Sequence, residues 1–152
     1  MPFNFQKPRA SSGEVRSLRG AHLIRVNLSQ MDLRGVDLSH ADLSGADLSG
    51  ADLSHANLSE AYLQAANLTQ ANLAHANLSH ADLTDANLFR VCLRGANLQE
   101  AHLTRANLER ADLTEAQFQN AFLWQCNLKD ADLRGAIIEE SQLQQTKGIG
   151  FN

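Results

Sequence analysis

Residues 41–70 read ADLSG ADLSG ADLSH ANLSE AYLQA ANLTQ, six five-residue units on one template. Followed outward, the template runs without insertion from Ala21 to Gln145, which makes 25 consecutive pentads. The first position is Ala in 19 of 25, the departures being Val26, Met31, Val36, Val91, Cys126 and Ser141. The third is Leu in 23 of 25, with Phe118 and Ile138 as substitutes. The second is Asp eight times and Asn nine times, and the last two are mostly Ser, Thr, Gly, Gln, His or charged.

A period of five suits neither regular structure. An α-helix would carry each successive Leu about 140° around its cylinder, leaving no apolar stripe. In a straight strand an odd period sends successive leucines to opposite faces. Both conflicts vanish if each pentad is a short extended piece followed by a corner. Positions one and three then point inward, and position two points out between them. Asn, Asp, Ser and Gly favour turns and suit the corners. Four corners close a twenty-residue coil, and coils stacked about 4.8 Å apart build a square solenoid. A three-sided, fifteen-residue coil is the alternative. Twenty is preferred because five of the eight second-position exceptions, His22, Tyr62, His102, Phe122 and Gln142, fall in one register modulo twenty.

The pattern A-[D/N]-L-x-x, seen in ADLSG at 46–50, ANLTQ at 66–70 and ANLER at 106–110, resembles the pentapeptide-repeat family over about four-fifths of the chain. The resemblance implies an all-β, right-handed quadrilateral β-helix with Leu and Ala stacked inside. The repeats would make a shaft of about six coils, roughly 30 Å long. Ala beside Leu at every step means a narrow interior without room for a substrate, polar only at Ser141 and the Cys126 thiol. Function is therefore expected on the outer faces or the ends. Residues 1–20, with Phe3, Phe5, Val15 and Leu18, are expected to cap one end of the 21–145 shaft, and residues 146–152, with Ile149 and Phe151, the other.

The 152 residues carry 13 basic and 17 acidic side chains, so no basic excess points to nucleic acid. No apolar run is long enough for a membrane span, and no secretory signal is expected at the N-terminus. Two cysteines, Cys92 facing out and Cys126 facing in, are expected as free thiols in a reducing, cytoplasmic setting. Seven acids, Asp37, Asp42, Asp47, Asp52, Glu60, Asp82 and Asp85, lie between Gly35 and Phe89 with no Lys or Arg among them. With Asp32 they form a candidate acidic face for a basic partner. Some members of the resembled family are proposed to imitate DNA at a type II topoisomerase such as DNA gyrase. Against mimicry stand the small net charge and Arg34, Arg94 and Arg134 on the face of Asp32 and Asp52.

His55 and His75, twenty residues apart, are the only metal candidates, on a solvated surface that argues against a site. No cofactor is expected. Tyr62, Phe89, His102, Phe122 and Trp124 point outward and form a candidate partner surface, since exposed aromatics mark contact sites. The recurrent serines occupy corners, and neither a GxSxG elbow, a phosphate loop nor a C-x-x-C pair occurs, so an enzyme is not expected. The leading expectation is a non-catalytic protein-binding rod, monomeric or dimerised end to end; the alternative is the gyrase-directed DNA mimic.

Overall fold

The structure, a computed structural model, describes residues 17–149. Parallel bridges join residues twenty apart all along it, from Ser17↔Asp37 to Asp112↔Asp132 and Gln117↔Ile137. The coil therefore has four sides. Each side contributes one paired residue, the second of its pentad.

One pentad shows how the backbone is satisfied. The Asp42 N–H reaches back to Ala21 O at 2.9 Å, while the Leu43 and Gly45 N–H groups reach forward to Tyr62 O at 2.7 Å and Gln64 O at 2.8 Å. The Ala46 N–H turns the corner by donating to Leu43 O at 2.9 Å. That closes a β-turn whose third residue has positive φ, the requirement of a type II turn. Every fifth-position residue from Gly20 to Gly135 obeys it, and eighteen of them are not glycine, with φ of 54–61°.

The fourth-position N–H is the one donor this scheme leaves over. All seventeen Asp and Asn side chains at position two meet it, Oδ1 accepting at 2.9–3.3 Å. Stacked amides then link coils, as where Asn67 Nδ2 donates to Asp47 Oδ1 at 3.1 Å and Asn127 Nδ2 to Asn107 Oδ1 at 3.0 Å. The polar residue between two apolar ones is a structural part and not merely a solvated one.

Inside, the leucines from Leu23 to Leu128 are at most 2% exposed and the first-position alanines from Ala41 to Ala116 likewise. Phe118 substitutes within this column and is fully buried. At the C-terminal end the repeat gives way to α1, Glu140–Leu143. Ser141, expected inward, is exposed on α1, while Gln142, in an outward register, is buried. The helix exchanges the facing of these two positions, while Leu143 still packs against the core. Gln142 Nε2 donates to Phe118 O and Ala121 O, both at 2.8 Å, so it takes up the Ala121 carbonyl that the next coil would have met and shares the Phe118 carbonyl with the Ala121 N–H. The chain then adds a last bridge, Asn127↔Lys147. Leu18 and Ile149 pack against the core ends; Phe3, Phe5, Val15 and Phe151 lie outside the described residues.

Candidate functional site

The square coil sorts the outward residues into four columns of different chemistry. The first face carries Ser17, Asp37, Asn57, Asn77, Asn97, Gln117 and Ile137, and the third Asn27, Asp47, Asn67, Asn87, Asn107 and Asn127. Both are chiefly amide ladders. The fourth, with Asp32, Asp52, Asn72, Cys92, Asp112 and Asp132, stacks carboxylates directly above one another. Arginines neutralise those pairs: Arg34 lies 2.7 Å from Asp32 and 3.9 Å from Asp52, and Arg134 lies 2.5 Å from Asp132. Such exposed pairs contribute little stability but remove repulsion between neighbouring coils.

The second face is unlike the others. Its column reads His22, Asp42, Tyr62, Asp82, His102, Phe122. Beside it, at position four, stand Ile24 and Trp124. Ile24, Tyr62, Phe122 and Trp124 are 51–53% exposed, which puts here four of the five exposed large apolar side chains among the described residues. The His102 and Phe122 rings pack with centroids 4.5 Å apart and planes tilted by 32°. At His22, Tyr62, His102 and Phe122 the side-chain acceptor for the fourth-position N–H is given up. Residues that break a prevailing rule point to function; Cys92, Gln117 and Ile137 break it elsewhere, but here four of six on one face do so.

Four of the aromatic candidates, Tyr62, His102, Phe122 and Trp124, thus share a face. Phe89 does not: it is half-buried on the third face, with the Arg90 guanidinium 5.3 Å from its ring centroid. Ile24 was not singled out by the sequence, although its register with Trp124 could have shown it. Between Tyr62 and Asp82 the second face is indented into an open groove of ≈ 370 Å³, lined also by Glu60, Ala61 and His80.

The acidic residues do not form one face. Asp37 is on the first, Asp42 and Asp82 on the second, Asp47 on the third, and Asp32 and Asp52 on the fourth. Glu60 and Asp85 occupy corners. A run of acids spaced by fives necessarily climbs around a four-sided coil, so the charge girdles the shaft. Much of it is tied down. The Ser39, Ser44 and Ser49 hydroxyls, helped by the same residues' N–H groups, hold Asp37, Asp42 and Asp47 below the usual carboxylate range despite slight burial. Arg105 grips Asp85 through two bonds of 2.6 Å.

His55 and His75 stack face to face at 5.3 Å and 17°. Among the described residues no three His, Cys, Asp or Glu side chains converge in a metal-ligand set. Cys92 is half-buried and Cys126 buried, both free, and burial pushes the Cys126 thiol up to about 12. No described helix is long and apolar enough to cross a membrane.

A family model for pentapeptide repeats matches residues 17–50, 51–95, 92–123 and 111–147. Among solved structures, the chain is similar to trypsin-treated QnrB1, a plasmid-mediated fluoroquinolone resistance protein, at 17% identity and TM-score 0.66, over 84% of this chain and 81% of that one. It is 33% identical to the pentapeptide repeat protein Rfr23 from the cyanobacterium Cyanothece 51142, with 86% of each chain covered and TM-score 0.48. A pentapeptide repeat protein of the Arabidopsis thaliana thylakoid lumen is 28% identical over 75% of this chain and 72% of that one, with TM-score 0.39. No curated protein matches the chain in sequence.

Proposed function

Because the chain belongs to the pentapeptide-repeat family, whose pentads wind a right-handed quadrilateral β-helix, we propose that it is a non-catalytic rod that binds a protein through its second face. The observation that carries the reading is the exposed Tyr62, Phe122 and Trp124 on a face that forgoes its own hydrogen bonds. Large exposed aromatics are the residues from which interfaces draw most of their energy. The close-packed Leu and Ala interior supports a surface role, since it offers no dry pocket in which to gather reacting groups. The two free thiols support a reducing, cytoplasmic location.

The test is photocrosslinking in the source cell from Thr104, at position four of the second face, beside the same probe at Ser79 on the first. The reading expects a protein partner from Thr104 alone. Crosslinking from neither position would sink it.

A second reading, a DNA-mimicking modulator of DNA gyrase, is favoured by the absence of Lys and Arg between Gly35 and Phe89. Spreading those acids around four faces weakens it. Supercoiling and quinolone-protection assays with purified gyrase decide it, and no effect in either removes it.

A further inference from the structure

Tyr62 stands between two carboxylates, Glu60 at the corner before it and Asp82 one coil further along, and the three line the second-face groove with His80. Burial works against the charge of Asp82, yet the Thr84 hydroxyl and N–H and the Gln64 amide, 2.7 Å from Oδ2, more than offset it. That carboxylate therefore stays ionised. Glu60 faces His40 at 3.3 Å on one side and leaves 58% of its side chain exposed. Glu100, two coils on in the same corner column, repeats the arrangement with His80 at 3.4 Å and 53% exposed. An aromatic face flanked by carboxylates, exposed at Glu60 and half-buried at Asp82, is the chemistry that accepts a guanidinium or ammonium group.

The spacing narrows the partner further. Glu60 to Glu100, and Asp42 to Asp82, are each two coils apart, about 9.6 Å along the shaft. A polyproline II segment rises about 9.3 Å in three residues, so side chains three apart keep pace with alternate coils. The middle of a face has no free sheet edge, because its N–H and C=O groups are spent on neighbouring coils. A bound segment must be read through side chains, and polyproline II peptides dock on aromatic surfaces without backbone pairing. Beyond the groove, the His102–Phe122 pair and Trp124 continue the aromatic track.

We propose that the second face binds a proline-rich segment of a partner protein that carries a cationic residue at every third position. Its cations sit over Tyr62 and beside Glu60, Asp82 and Glu100, and its prolines lie on Phe122 and Trp124. This rests on the binding-rod reading and adds the partner's chemistry.

The probe is a fluorescent dodecapeptide of four Arg-Pro-Pro units, titrated against the full chain by anisotropy. A peptide of the same composition with its arginines in one block is the comparison. Tyr62→Asn and the double variant Glu60→Gln, Asp82→Asn install residues that keep the ladder, and each is expected to weaken binding about tenfold. Asp37→Asn and Asp47→Asn, which remove charge from the first and third faces, are expected to change it less than about twofold. The blocked peptide is expected to bind at least about fivefold more weakly. No saturable binding, equal binding of the two peptides, or equal losses from all variants overturns the proposal. Crosslinking from Thr104 separates the two readings. A partner captured there while the peptide fails leaves the rod and removes this ligand, and no capture from either position removes both.

Discussion

At the scale of single residues, each pentad places one side chain where L-residues are strained and one where a particular side chain is needed. Ala65 sits at φ 55° with a methyl group that makes no hydrogen bond to offset the strain. Ala65→Gly is expected to raise stability by about 0.5–1 kcal/mol, measured by urea denaturation, because relief of left-handed strain exceeds the entropy glycine adds to the unfolded chain. At Gly50 the Gln30 amide folds over the Cα from the coil before, 2.0 Å from where a Cβ would lie, but a flexible side-chain end can move aside, so it is the positive φ of 63° that favours glycine there. Tyr62 breaks the second-position rule. Tyr62→Asn restores an acceptor for the Gln64 N–H between Asp42 and Asp82, and is expected to stabilise the rod by about 0.5–1 kcal/mol while it weakens partner binding. A variant that lost both stability and binding would mean that Tyr62 is structural. The inward Ala and Leu were legible from spacing alone, since only alternation within a bent unit buries both. The reason for Asp and Asn was not, because the donor they satisfy exists only once the corner has formed.

At the scale of the coil, the ladder couples protonation to stacking. Asp37, Asp42 and Asp47 each accept from a serine hydroxyl and N–H, which hold them below the ordinary carboxylate range. The unfolded chain, titrating near 4, then binds more protons than the folded one just below that value. Their contribution is complete above about pH 4 and is lost as the pH falls through the depressed native values. The urea midpoint is expected to be flat from pH 7 to about 5 and to drop below about 4. The triple variant Asp37→Asn, Asp42→Asn, Asp47→Asn, which keeps every Oδ1 acceptor, should show a shallower drop. An unchanged acid limb would assign the effect to other carboxylates. Which acids share a surface was the part of the site that the linear order disguised. Neighbours in the sequence occupy successive faces, and neighbours on a face are twenty residues apart, so the cation-free stretch looked like a patch and is a girdle.

At the scale of the molecule, the same arithmetic separates what the fold requires from what the second face requires. The core repeats every five residues, whereas a face repeats every twenty. Nothing in the stacking of Ala on Ala and Leu on Leu distinguishes one side of the square from the next. Removal of Ala71–His75 should therefore leave a folded shaft, because each downstream pentad moves back one side and meets an equivalent interior. The surface does not survive the same shift: His102, Phe122 and Trp124 leave the side that bears Tyr62, and the aromatic track is cut. Removal of 63–82 costs four times as many residues yet keeps Tyr62 in line with His102 and Phe122. The expectation is that both deletions retain the β-rich circular dichroism and a cooperative melt, while capture through Thr104 falls about tenfold or more for the five-residue deletion and by less for the longer one, which keeps the aromatic column and loses Asp82. If the two deletions lose partner binding alike, either Asp82, which only the longer deletion removes, is indispensable, or recognition is not organised by columns and the separation of fold from face is wrong. Returning an acidic second-position residue opposite Tyr62 in the shorter shaft, with His102→Asp, decides between those two.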